Sequence, residues 1–167
     1  MLLAMQEEHA GRIAGQPGNA ARRNILVVED DGAMRDLLRL YLRNAGYAVT
    51  LAEDAAVAGR KLLDSHPDLI ISDINLPYMS GLEFAAILMA DTTVPHVPII
   101  LISAHEKFAL RAYALGADFV VKPFSRTQLL QAVAQSFRVK DRQKSSADAH
   151  APFAPEASPI GQCTPPV

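Results

Sequence analysis

Apolar residues occur along this chain in short unbroken runs, separated by longer stretches in which they recur every three or four positions. Ile25, Leu26, Val27 and Val28 form the first run, flat and rich in β-branched residues, as expected of a strand buried on both faces. It ends at Glu29. Met34, Leu37, Leu38, Tyr41 and Leu42 then follow helical spacing, and Gly46 supplies the left-handed stop that closes such a helix. Residues 47–51 predict a second strand. Ala55, Ala58, Gly59, Leu62 and Leu63 predict one face of a second helix, which Pro67 prevents from continuing. Leu69, Ile70 and Ile71 give the third strand, and Ser80 with Glu83 has the spacing of a capping box opening a helix that buries Phe84, Ile87 and Leu88.

Residues 99–102 read as a fourth strand, and a fourth helix runs to Leu115 with Gly116 as its cap. Phe119, Val120 and Val121 form a short fifth strand. Ser125 with Gln128 opens a fifth helix carrying Leu129, Leu130, Val133 and Phe137. Five strands alternating with five helices, joined by right-handed crossovers, require a mostly parallel sheet covered on both faces: the doubly wound α/β class.

Composition sets the limits of this unit. The chain has 167 residues, half of them apolar and a fifth charged, which suits one globular core with appended segments. Residues 1–23, with Pro17 and Gly18 as breakers and no sustained periodicity, are expected to be a flexible leader. The core domain is expected over 24–140. The Ser, Ala, Pro and Gln of 141–167 offer too little apolar surface to offset chain ordering, so a disordered tail is expected there. Net charge is −2 with basic residues scattered, which argues against direct nucleic-acid binding. Cys163, the only cysteine, permits no internal disulfide and no cysteine zinc site. The apolar opening at Met1 to Met5 is too short for a secretory signal, and no run approaches a spanning helix; a cytoplasmic protein without membrane insertion is expected.

In an open parallel sheet the ligand sits beyond the carboxyl ends of the strands, where strand order reverses. Glu29 and Asp30 end the first strand, Asp73 the third, Ser103 the fourth and Lys122 the fifth, so these polar residues converge on one edge. Three carboxylates in one pocket repel unless a cation balances them, and a hard divalent ion such as magnesium, or manganese in its place, suits oxygen ligands in an open acidic cleft. Lys122 can hold a phosphoryl oxygen as a point charge while Ser103 donates a hydroxyl to another.

Each residue also has a plainer use. Acids before a helix often serve as caps, a role assigned here to Asp31, which leaves Glu29 and Asp30 for metal. Asp73 alone would suit an Asx turn ahead of Pro77, Ser103 a hydrogen-bonded strand end, and Lys122 a solvated cation. Lys122 before Pro123 is more informative, since a cis bond there is accessible. His66, His96 and His105 have no mutual ligand spacing and are assigned no metal; His105, two residues past Ser103, can affect water access near a phosphoryl group. Phe119 reads either as core or as a mobile switch side chain.

The motifs ILVVEDD at 25–31, SDINLPYMSG at 72–81, LISA at 101–104 and VKPF at 121–124 resemble those of the receiver domains of bacterial two-component response regulators. The similarity covers 24–140. It implies the flavodoxin-like receiver fold with strand order 2-1-3-4-5, Asp73 as phosphoacceptor, and magnesium held by Glu29, Asp30, Asp73 and the backbone carbonyl of Asn75. It further implies phosphoryl contacts from Ser103 and Lys122, a switch built on Ser103 and Phe119, lifetime tuning by Asn75 and His105, and a cis Lys122–Pro123 bond. The implied partners are a sensor histidine kinase or histidine phosphotransfer protein and a downstream target protein, with the chain acting as a single-domain signalling receiver that catalyses only its own phosphorylation and dephosphorylation. Two features depart from the family pattern. The segment from Ser103 to Lys122 is a few residues short, and Phe119 stands where tyrosine is common. A magnesium-dependent phosphohydrolase with an aspartyl-phosphate would need a substrate lid, and no long insertion after any strand supplies one. A receiver-like module that is never phosphorylated would leave the full set of acid, hydroxyl and lysine groups without a use.

Overall fold

The computed structural model describes residues 22–148. Five parallel strands, β1 (Asn24–Val28), β2 (Ala48–Ala52), β3 (Leu69–Asp73), β4 (Ile99–Ser103) and β5 (Asp118–Val121), form one sheet in the order β2-β1-β3-β4-β5. The helices are α1 (Gly32–Asn44), α2 (Ala55–Ser65), α3 (Gly81–Ala90), α4 (Ala109–Ala114) and α5 (Arg126–Asp148), with a 3-10 turn at Glu106–Phe108 ahead of α4. This is the doubly wound sheet with five helices predicted from the apolar runs.

Alternate strand residues serve opposite faces. Ile25, Val27, Leu69, Ile71, Ile100 and Ile102 pack with Leu38, Leu42, Leu129 and Val133 under α1 and α5. Leu26, Val28, Ile70, Ile99 and Leu101 pack with Ala58, Leu62, Phe84 and Ala112 under α2, α3 and α4. The central strands β1, β3 and β4 therefore lack any polar face, which is why they read as unbroken apolar runs.

The helix signals are realised by specific contacts. Asp31 Oδ1 accepts from the Met34 amide at 2.7 Å and caps α1, and Ser80 and Glu83 form a reciprocal capping box on α3. The Ser125 hydroxyl accepts from the Gln128 amide at 3.2 Å, while the Gln128 side chain accepts from the Ser125 amide at 2.8 Å. Gly46 at φ 95° and Gly116 at φ 75° take the left-handed turns after α1 and α4. Ahead of Pro67, His66 closes α2 in that conformation without being glycine, at φ 45°.

Three expected core positions lie outside the core. Leu37 is 36% exposed, Leu63 65% and Ile87 52%. Successive helical residues point ~100° apart, so beside the inward Leu38 and Leu62 an adjacent leucine must turn toward solvent. On α3 the inward arc is set by Leu82, Phe84 and Ala85, and Ile87 falls on its far side. Leu88 is half-buried. The fifth helix also corrects the expected boundary at Lys140: α5 continues through Asp148. Each residue added to an existing helix gains a backbone hydrogen bond without a new nucleus, and no Pro or Gly interrupts 141–148. Arg22 and Arg23, assigned to the leader by composition, lie against the domain: Arg22 donates to the Gly46 carbonyl at 2.6 Å, and Arg23 bridges to Asp141 at 2.8 Å over the Phe137 ring. The rest of the expected leader, and the tail from residue 149 with Cys163, lie outside the described residues. No helix among the described residues is long and apolar enough to cross a membrane.

The close approach of α3 to the end of β3 sets the loop between them. The Gly81 amide donates to the Ile74 carbonyl at 3.0 Å, and a Cβ at Gly81 would stand 2.1 Å from the Asp73 carbonyl oxygen and 2.9 Å from Ser72 Oγ. Gly81→Ala is therefore expected to lower unfolding free energy by about 2–3 kcal/mol through forced backbone displacement. Urea denaturation would check this; a midpoint equal to wild type would show that the loop yields freely.

Candidate functional site

Because the chain passes from β1 out to β2 and returns to the other side of β1 as β3, the ends of β1 and β3 are neighbours. Glu29 and Asp30 follow β1, and Asp73 is the last residue of β3. One carboxylate oxygen from each lies within 4.8 Å of the others. Glu29 and Asp73 are buried, whereas Asp30 is exposed and opens the cluster to solvent.

Lys122, directly after β5, reaches across the strand ends. Its Nζ donates to Glu29 Oε2 at 2.8 Å and lies 3.4 Å from Asp73 Oδ1. The second distance is an ion pair without hydrogen-bond alignment, and Asp73 Oδ1 is buried with no hydrogen-bond partner. A buried carboxylate oxygen in that condition is costly, and positive charge or a donor would relieve it. Burial pushes the Glu29 carboxyl above its ordinary value; the Lys122 hydrogen bond opposes that shift, and the charges of Asp73 and Asp30 add to it. Three oxygen donors within common reach, one orphaned and one held against its ionisation, fit a hard divalent cation.

The remaining expected residues lie at the ends of β3, β4 and β5 or on β5 itself. Ser103 ends β4 fully buried, and its Oγ accepts from the His105 amide at 3.2 Å, which leaves its own O–H free to donate elsewhere. The Ser103 carbonyl accepts from the Lys122 amide at 2.8 Å, tying the ends of β4 and β5. The Lys122–Pro123 peptide is cis. Asn75 is exposed in the loop after β3, and His105 is exposed with its ring edge-on to Phe108. Phe119 pairs in register with Leu101 and is half-buried against the α2, α3 and α4 side of the core.

Arg35 is a participant that sequence reasoning missed. Its guanidinium donates to the backbone carbonyls of Glu29 at 2.6 Å and Asp30 at 3.2 Å, fixing the loop that presents both acids. The available signal was a basic residue one helical turn past an acidic strand end, a spacing that suits many surface pairs equally well. Arg111 of α4 was also passed over; it lines a groove shared with Asp30 and Asn75.

Comparisons with known proteins agree with this geometry. The family model for the response regulator receiver domain matches residues 25–134. The chain is 35% identical over 111 residues to the phosphate regulon transcriptional regulatory protein PhoB of Pseudomonas aeruginosa, a match covering 65% of this chain and 48% of that protein. It is 30% identical over 120 residues to the DNA-binding response regulator MtrA of Mycolicibacterium paratuberculosis, covering 72% of this chain and 53% of that one. The chain thus spans about half the length of these curated relatives. Among solved structures, the chemotaxis response regulator CheY4 of Vibrio cholerae aligns with a TM-score of 0.64 at 29% identity, covering 70% of this chain and 99% of that one. With its strand order, its acidic edge and a family match over most of the folded residues, this chain belongs to the response regulator receiver domain family.

Proposed function

We propose that Asp73 accepts a phosphoryl group from the phosphohistidine of a sensor histidine kinase or histidine phosphotransfer protein, and that the resulting change of shape controls a downstream protein. Receiver domains are signalling modules of two-component phosphorelays, so the proposal concerns which residues of this chain do the work. The observation that carries it is the buried Asp73 carboxylate, with one oxygen lacking a hydrogen bond, between two further acids and a lysine.

A carboxylate oxygen of Asp73 attacks the phosphorus, and the P–N bond to the donor imidazole breaks. The imidazole keeps the electron pair and leaves neutral when its other nitrogen carries a proton. A magnesium ion held by Glu29, Asp30, Asp73 and the Asn75 carbonyl would offset the charge of the carboxylates and of the transferring oxygens. Lys122, shared between Glu29 and Asp73 in the unphosphorylated site, turns its ammonium to a phosphoryl oxygen, and the free Ser103 O–H donates to another. Ser103 is fully packed at the end of β4, so its movement opens space beneath the sheet edge into which Phe119 turns. Water later attacks the phosphorus, the P–O bond to Asp73 breaks, and the carboxylate is restored; Asn75 and His105, flanking the site, set how readily that water enters. The chain catalyses only its own phosphorylation and dephosphorylation.

Asp73→Asn should abolish uptake of one phosphoryl mass from acetyl phosphate with magnesium, read by intact mass and peptide mapping. Wild-type uptake at some other residue would refute the assignment. The metal site makes a separate prediction. A carboxyl whose folded pKa exceeds its unfolded value takes up a proton on folding between the two, so metal-free stability declines as pH rises from 4.5 through the folded pKa and then levels off. Above that window magnesium relieves the repulsion; below it protons compete for the ligand. At neutral pH a tenfold excess of magnesium over its Kd should add about 1.4 kcal/mol, or roughly 3–6 °C in Tm, and the gain should shrink at pH 4.5, below the raised pKa of the folded Glu29 carboxyl. Thermal melts with magnesium and with EDTA at both pH values would check it, and equal gains would exclude Glu29 as a ligand.

A further inference from the structure

Beside the carboxylates runs a groove of about 650 Å³. Its floor includes Leu82, which is buried, and Phe108, which is half-buried, while Asp30 and Asn75 connect it to the metal-binding edge. Glu83 and Arg111 stand on its rim. Glu83 is engaged in the α3 capping box, where Ser80 holds its carboxylate below the ordinary range and Arg111 adds a smaller effect through its charge. The Arg111 guanidinium is exposed and has no ion-pair partner among the described residues.

The charge balance of the site gives this arginine a use. Glu29, Asp30 and Asp73 against Lys122 leave the metal-free cleft strongly anionic. A divalent ion brings these groups only to neutrality, so they exert no net long-range pull on a phosphoanion, and Glu83 pushes it away. Arg111 is the one cation among the residues lining the groove, which meets the carboxylate cluster at Asp30. After β4 a single 3-10 turn passes directly into the six-residue α4, and Arg111 on that helix lines the same groove as Asn75, Leu76 and Pro77 of the β3–α3 loop.

We propose that this groove is the entry vestibule for the phosphoryl donor, and that Arg111 is the specificity-determining charge that draws the donor phosphoanion toward Asp73. The inference rests on the reading of Asp73 as phosphoacceptor. Arg111 acts before bond formation, on the approaching anion, and takes no part in hydrolysis, whose attacking water is neutral. Donors of greater negative charge depend on it more. Glu83 opposes it from the same rim, so removing that charge has the reverse effect.

The test measures phosphorylation rates of the full chain with saturating magnesium, using acetyl phosphate, a dianion at neutral pH, and phosphoramidate, which carries less negative charge. At low ionic strength Arg111→Ala should slow uptake from acetyl phosphate about threefold to tenfold, and from phosphoramidate less. Arg111→Lys should restore most of the rate, and Glu83→Gln, which keeps a capping side chain, should raise it. In high salt the variants should converge on wild type, and dephosphorylation rates should be unchanged throughout. An Arg111→Ala rate equal to wild type at low salt, or a deficit that persists undiminished in high salt or is the same for both donors, would overturn the proposal. A wild-type chain that gains no phosphoryl mass at Asp73 would instead remove the reading beneath it.

Discussion

The structure is organised around one electrostatic constraint: three carboxylates share the carboxyl edge of a parallel sheet, and a single ammonium stands among them. Lys122 sits 2.8 Å from Glu29 and 3.4 Å from Asp73, with both acids buried. In such surroundings attraction and repulsion are both stronger than in water, and neither is fully answered. The exposed Asp30 keeps the cluster open on one side, so the imbalance can be relieved by an arriving cation without unfolding the edge. A fully satisfied network would be more stable; this one retains an orphaned carboxylate oxygen on Asp73.

Holding that arrangement requires a stiff frame. β1 and β3 are hydrogen-bonded on both sides, between β2 and β4, so the residues at their ends have little freedom to separate. Arg35 fixes the carbonyls of Glu29 and Asp30, and the close contact of Gly81 with the Asp73 carbonyl leaves no room for that strand end to drift. The backbone bears the electrostatic cost because core packing on both faces fixes it independently of the charges.

Sequence reasoning recovered the parts that depend on local rules. The buried strands were visible because two-sided burial removes polar positions, and the caps at Asp31, Ser80 and Ser125 because a side chain three residues away must meet an orphan amide. The acids and Lys122 could be placed on one edge because parallel topology puts every strand end there. The failures came from direction and tertiary reach. Leu37, Leu63 and Ile87 are apolar and lie near inward positions, yet they point to solvent because each helix can turn only one arc to the sheet. The run of α5 past Lys140 was misjudged because composition measures what a segment can bury, whereas an established helix can propagate without burial. Arg35 and Arg111 carry no signal of their own, since an arginine on a helix is ordinary until the loop or groove it faces is known.

The same frame connects charge at the edge to the outer surface of the domain. The Lys122 amide is bonded to the Ser103 carbonyl, so the residue that answers the acids is joined to the end of β4 through one backbone link. β5 is the outermost strand on that side, its residues only half-buried, and Ser136 of α5 donates to Asp118 at its start. Beyond β4, α4 has only six residues, with Leu110 and Tyr113 exposed and Ala112 as its buried anchor. A helix this short holds few internal hydrogen bonds and a single deep contact, so it lies at the low end of local stability. Ser103 and Lys122 therefore border the least firmly held part of the fold, whereas Asp73 ends a fully buried strand paired on both sides.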